Sequence, residues 1–228
     1  MLKRLPFPPP APALSDRPLQ ALFVHGMGRS PLSGWPVLRQ LRKAGMQTRT
    51  FGYVVTVQDF APIVARLSAR LATLASQGDY ILIGHSLGGV LLRAALAALP
   101  AEVRPPTHVF LLGSPVRASR LARQLQGNPL FRALTGDCGQ LLASDTRMQG
   151  IGPVAAPVTG IAGVLGASTR IGPFRDEPHD GVVSVSEVSA DWLTDAVHVP
   201  VAHTFLPASQ QVAVVILERM AHTHPQHR

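Results

Sequence analysis

Tyr80-Ile81-Leu82-Ile83-Gly84-His85-Ser86-Leu87-Gly88-Gly89 is the stretch on which the reading of this chain turns. The unbroken apolar run of residues 80–83 fits a strand buried on both faces, because a half-exposed strand would alternate. Residues 87–99 are rich in Leu and Ala and stop at Pro100, which reads as a helix. The junction between them, Gly84-His85-Ser86-Leu87-Gly88, matches G-x-S-x-G. At such a junction the serine occupies a sharp, strained turn and its hydroxyl projects above the sheet edge. Glycines two positions before and after it let strand and helix approach without a side-chain clash. The helix also aims its partially positive N-terminus at the serine, favouring negative charge that develops there. The plain alternative is the glycine-rich strand-to-helix turn of a nucleotide binder. That would want G-x-G-x-x-G or a Walker sequence, and neither occurs.

Outward from this junction, short apolar runs alternate with longer helical patterns. Residues 19–25, 47–54, 80–84, 107–112, 158–164 and 196–201 read as strands. Phe60, Ile63, Val64, Leu67, Leu71 and Leu74 recur at helical spacing, so one face of that segment is buried. Residues 207–222, with Val212, Val215, Ile216 and Leu217, read as a closing helix. The alternation predicts an α/β fold: a three-layer α/β/α sandwich around a mostly parallel sheet of about six strands. Residues 1–18 carry six prolines and read as an extended N-terminal arm. Residues 19–228 then form a single domain, with the weakly patterned 114–156 expected as a short cap over the site.

Composition narrows the class further. The chain has 228 residues, 46% of them hydrophobic and 15% charged, a globular balance that suits one large core. No apolar run approaches the roughly 20 residues that cross a bilayer. The net charge of +8 is carried almost wholly by arginine, since Lys3 and Lys43 are the only lysines. Nucleic-acid binding would want those charges clustered among stacking aromatics, whereas the arginines are scattered and aromatics make up only 5%. Arg117, Arg120 and Arg123 are spaced along one side of a helix and read as a solvated face. Cys138 is the lone cysteine, so no intrachain disulfide is expected. Prolines interrupt the N-terminal stretch where a secretory apolar core would sit, and a cytoplasmic location is the expectation.

A serine hydroxyl is a poor nucleophile at neutral pH unless a base takes its proton and donors receive the oxyanion. One donor is expected to be the backbone N–H of Leu87, directly after the serine. The second should come from the loop after an earlier strand, where the chain supplies Phe23-Val24-His25-Gly26-Met27-Gly28. The Met27 N–H is the donor expected there, with Gly26 and Gly28 permitting the turn and His25 orienting the loop. For the base, His203 directly follows the last strand. His198 lies within it, and His222, His224 and His227 sit at a helix end and tail. For the acid, chain order favours Asp180 in His179-Asp180-Gly181-Val182-Val183, where a glycine permits a tight turn. Asp176, Glu177, Asp137 and Asp145 remain as rivals.

With these pieces placed, residues 20–220 resemble bacterial lipases and small carboxylesterases of the α/β-hydrolase superfamily. Val24-His25-Gly26-Met27 is similar to their oxyanion loop, and Gly84-His85-Ser86-Leu87-Gly88-Gly89 to their nucleophile elbow. His179-Asp180-Gly181-Val182-Val183 looks like the segment that carries the acid in true bacterial lipases. The resemblance implies an esterase with a Ser86, Asp180 and His203 triad, acting on a small-molecule or lipid ester without metal or organic cofactor. It departs where several of those lipases have a calcium-binding aspartate two residues beyond the base. Phe205 stands there, and the single cysteine leaves no partner for their disulfide. These departures turn the expectation from a secreted triglyceride lipase to a small carboxylesterase, with at most a weak contact to a lipid interface. The same residues could instead serve a thioesterase, an amidase or an acyltransferase. A catalytically silent binding protein of the same fold is the alternative from another class.

Overall fold

Four strands are buried along their whole length: β1 (Gln20–Val24), β3 (Tyr80–His85), β4 (His108–Leu112) and β5 (Val158–Gly163). Their apolar residues alternate between two cores. Ala21, Phe23, Ile81, Ile83, Phe110 and Leu112 face one side, packed with α1 (Trp35–Lys43) and α7 (Gln210–Thr223). Leu22, Val24, Tyr80, Leu82, Val109 and Leu111 face the other, against α2 (Phe60–Gln77) and α3 (Leu87–Ala97). Burial on both faces requires helices on both, and the parallel ladder requires crossovers long enough to hold them. The edges are β2 (Gln47–Phe51), which is largely exposed and polar, and β6 (Asp195–Val199), which alternates between half-buried and exposed residues up to buried Val199. All six strands are parallel, in the order β2-β1-β3-β4-β5-β6. The three-layer sandwich expected from the sequence is the fold observed.

This is a computed structural model, and it describes residues 18–167 and 172–223. The proline-rich arm expected over residues 1–18 lies, but for Pro18, outside the described residues. Among the described residues no helix is long and apolar enough to cross a membrane.

Strand order places the site before any side chain is considered. From β1 the chain turns to α1 and β2, and from β3 it turns the opposite way, to α3 and β4. The loops leaving the C-terminal ends of β1 and β3 therefore diverge, and a crevice opens between them. Val24 pairs with Gly84 across these strands, so the His25-Gly26-Met27-Gly28 segment and the serine motif leave the sheet side by side.

Several boundaries differ from the sequence reading. The strand expected over 47–54 stops at Phe51, because Tyr53 leaves the ladder to bond His25. The closing helix begins at Gln210, not 207. Pro207 lies instead in a 3₁₀ turn, His203–Ala208, and Ser209 after it is extended. α1 had no counterpart in the sequence reading; its buried Val37, Leu38 and Leu41 make a stripe too short to stand out.

Residues 114–156 form three helices: α4 (Arg120–Leu125), α5 (Pro129–Ala143) and α6 (Asp145–Gln149). Their starts are set by the side chains of Ser119, Asn128 and Ser144, which accept backbone N–H bonds of the first turns. α5 breaks at Gly136, whose φ of 54° a residue with a β-carbon adopts only under strain. Arg93 of α3, itself buried, donates to the carbonyls of Pro115 and Gly152 and so ties both feet of this excursion to one helix.

Of the arginine trio, Arg117 and Arg123 are exposed and Arg120 is half-buried, and each has a partner. Arg117 precedes α4 and donates to the Ser189 carbonyl. Arg120 pairs with Glu177 at 2.8 Å, and Arg123 with Asp145. Residues far apart in sequence supply the partners, so spacing alone could not name them.

Candidate active site

Ser86 is the one-residue link between β3 and α3, with φ 52° and ψ −124°. Such a conformation costs a non-glycine residue about 1–3 kcal/mol, so the surroundings must enforce it. They do so on three sides. The Ser86 N–H donates to the Leu112 carbonyl at 2.9 Å, extending the ladder between β3 and β4 by one bond. A β-carbon on Gly84 would collide with the backbone of Gly89, and one on Gly88 with the carbonyls of Val24 and His25. The first turn of α3 thus lies in backbone contact with both β3 and the end of β1. The Ser86 hydroxyl makes no hydrogen bond among the described residues.

Beside it runs the loop 25–30. His25 donates from Nδ1 to the Gly26 carbonyl at 2.9 Å, while its Nε2 accepts the Tyr53 N–H at 3.4 Å. The Tyr53 hydroxyl donates to the His25 carbonyl at 2.7 Å, and the two rings stack at 4.2 Å. Burial lowers the His25 pKa, only partly offset by the bond to Gly26, which suits a neutral ring that both donates and accepts. His25 therefore acts on the loop's shape, and Tyr53 is its buttress. The amides of Met27 and Leu87 donate to no protein acceptor among the described residues. That is expected of Leu87, since the first amides of a helix have no intrahelical acceptor.

Asp180 and His203 meet from the far side. The His203 Nδ1 lies 2.7 Å from Asp180 Oδ2, and its N–H donates to the Asp180 carbonyl at 2.9 Å. Asp180 is 2% exposed and His203 7%. The other carboxylate oxygen accepts the N–H groups of Val182 at 2.9 Å and Val183 at 2.8 Å. Gly181, at φ 100°, supplies the turn that brings those amides back onto the side chain. Both oxygens of this buried carboxylate are thereby engaged, by three fixed donors in all. An imidazole held at Nδ1 by a carboxylate presents Nε2 as its free, basic nitrogen.

The pair sits over the end of β4. A β-carbon on Gly113 would lie 2.9 Å from Asp180 Oδ2 and 3.0 Å from His203 Nδ1. Gly113 directly follows Leu112, whose carbonyl accepts the Ser86 N–H, so one short segment borders both the serine turn and the acid–imidazole pair. Sequence reasoning missed Gly113, Tyr53 and His85. A glycine closing the run His108-Val109-Phe110-Leu111-Leu112 was the available signal for the first. Nothing local pointed to the other two.

The rivals stand elsewhere. Asp137 is held by Arg147 at 2.7 Å, Asp145 by Arg123 and Glu177 by Arg120. Asp176 is exposed, as is His198 on the edge strand. The side chain of His222, and all of His224 and His227, lie outside the described residues.

No protein-family profile and no curated protein matches the chain. Solved structures do. The mature form of Bacillus licheniformis lipase BlEst2 is similar at a TM-score of 0.67 and 17% identity, over 94% of this chain and 95% of that one. The metagenomic carboxyl esterase MGS0156 is similar at 0.69 and 15%, over 96% and 79%. The RedJ thioesterase of the prodiginine pathway in Streptomyces coelicolor is similar at 0.57 and 16%, over 96% and 92%. The chain thus has the α/β-hydrolase fold, the class expected from its elbow and loop motifs.

Proposed function

We propose that the protein is a serine hydrolase that cleaves carboxylic esters through an acyl-enzyme. The observation that carries this reading is the buried Asp180–His203 pair, 2.7 Å across, at the same sheet edge as the strained Ser86 turn. In the proposed reaction the Ser86 oxygen attacks the ester carbonyl as its proton passes to His203 Nε2. Asp180 holds the ring in the Nδ1–H tautomer and stabilises the imidazolium. The amides of Met27 and Leu87 receive the oxyanion, with His25 and Gly26 shaping the loop that presents the first. His203 then gives the proton to the leaving alkoxide, and an alcohol departs. Water repeats the sequence on the acyl-enzyme, its proton passing through His203 to Ser86 as the acid is released.

Residues 114–156 would form the cap that shapes the acyl pocket. Leu32, Trp35, Val54, Val57, Leu130 and Phe205 are exposed on segments that follow the C-terminal strand ends or lie in this cap. That apolar fringe supports an apolar ester, presented singly or at a lipid interface, as the substrate. A thioester substrate is the second reading, favoured by the likeness to RedJ thioesterase.

A fluorophosphonate probe should label Ser86, and Ser86→Ala should abolish labelling and lower p-nitrophenyl ester hydrolysis by about 10⁴-fold or more. Hydrolysis unchanged in Ser86→Ala would end the proposal. An ester and a thioester of one acyl group, compared by kcat/KM, decide between the two readings.

A further inference from the structure

His85 occupies the first of the two free positions of the G-x-S-x-G motif, yet it is only 2% exposed. Its Nε2 lies 3.0 Å from the carbonyl oxygen of His203. A carbonyl can only accept, so Nε2 carries the proton and Nδ1 is a bare lone pair. That Nδ1 is buried and has no partner among the described residues. It faces the oxyanion-loop motif, since a β-carbon on Gly26 would stand 2.9 Å from it. The rings of His85 and His203 have centroids 4.8 Å apart and planes tilted by 41°.

An aliphatic side chain would fill this space without leaving a buried nitrogen unpaired, so packing alone does not account for an imidazole. What only the imidazole supplies is the donor to His203. With it, His203 is held at three points: Nδ1 by the Asp180 carboxylate, N–H by the Asp180 carbonyl, and C=O by His85. Two of those points belong to one residue on a loop. The third belongs to the residue covalently joined to Ser86.

We propose that His85 is a positioning residue, whose Nε2–H grips the His203 carbonyl and so fixes the base relative to the adjoining serine. The inference rests on the hydrolase reading above. The ring is neutral, because burial first, and then the facing His203, Arg29 and His25, hold its pKa well below the ordinary histidine value. The bond to the His203 carbonyl opposes this only in part.

Two amides separate the role from the bulk. His85→Gln carries its amide nitrogen to about the position of Nε2, whereas His85→Asn ends near Nδ1 and cannot reach His203. With a p-nitrophenyl ester, His85→Asn should lose about 100-fold in kcat, the order expected for roughly 1 Å of misplacement. KM should stay within about twofold, because ground-state binding is untouched. His85→Gln should recover most of the lost kcat. Wild-type kcat in His85→Asn, or equal losses in both variants, overturns the proposal. Imidazole ¹⁵N spectra of the unmodified protein test it even if a variant fails to fold. His85 should appear as the Nε2–H tautomer, and an Nδ1–H tautomer overturns it. Fluorophosphonate labelling of the unmodified protein tests the hydrolase reading separately. If that labelling fails, the spectra still judge the bond between His85 and His203.

Discussion

Ser86 and Asp180 come to the same edge of the sheet by opposite means. The serine turn is one residue long and is forced by backbone contact: Gly84 against Gly89, and Gly88 against the carbonyls of Val24 and His25. The acid loop is held by polar contacts. Asp180 Oδ1 accepts from Val182 and Val183, and Glu187 accepts from Arg120 N–H and from both the N–H and the hydroxyl of Ser184. Glu177 accepts from Ser186 and pairs with Arg120. The first device is sensitive to volume and indifferent to charge. The second is close-packed too, against Gly113 and Gly163, but it depends in addition on ionised carboxylates. A strained turn needs the stiffness of close packing, whereas a buried carboxylate needs donors in every direction it presents.

Three measurements would break or sharpen that contrast. The largest effect is expected from Asp180→Asn, which keeps the shape and removes the charge that fixes the His203 tautomer. We expect kcat for an ester to fall by about 10⁴-fold with melting temperature little changed. A loss under tenfold would show that the polar loop is not what orients His203. Next comes Gly88→Ala, a change of one methyl beside the serine turn. It should cost about 3 kcal/mol or more in urea unfolding, because the methyl meets carbonyl oxygens that cannot move aside. A variant as stable as the unmodified chain would mean that α3 does not press on β1 as described.

The smallest effect is the response to acid, and it should come in two windows. His25, His85 and His108 have pKa values lowered from 6.5, in each case chiefly by burial. The unfolded chain takes up protons that these folded rings refuse, so stability falls as pH drops below about 6.5. Burial pushes the Glu177 carboxyl up, but bonds from Ser186 and Arg120 outweigh it and bring the pKa down from 4.5 to about 2. Its contribution is full above 4.5 and is lost as pH falls toward about 2. Glu177→Gln should therefore flatten the lower window of the urea midpoint against pH and leave the upper one intact. Parallel profiles for the two proteins would contradict the pairing with Arg120.

How much of this was legible in the sequence differs from place to place, for physical reasons. Residues 80–89 were legible in all but the partner of His85, because a buried strand, a tight turn and a glycine-bounded helix start are all local features. The segment 114–156 was not, because its helices start on polar caps, break at Gly136 and bury a few scattered residues such as Cys138, Leu141 and Met148. Chain order singled out Asp180 and His203 for acid and base. It carried no information on the partners of Arg117, Arg120 and Arg123, which lie 22 to 72 residues away.

By itself the sequence determined the six strands, the helices α2, α3 and α7 to within a turn, and the serine junction, since each is set by hydrophobic period or by glycines a few residues apart. Only the tertiary structure decided that Tyr53 braces His25, that Gly113 makes room for the Asp180–His203 pair, and that His85 reaches the His203 carbonyl. Those contacts join residues 28 to 118 positions apart. No local preference encodes them, because they exist only once parallel strands have brought separate loops to one edge.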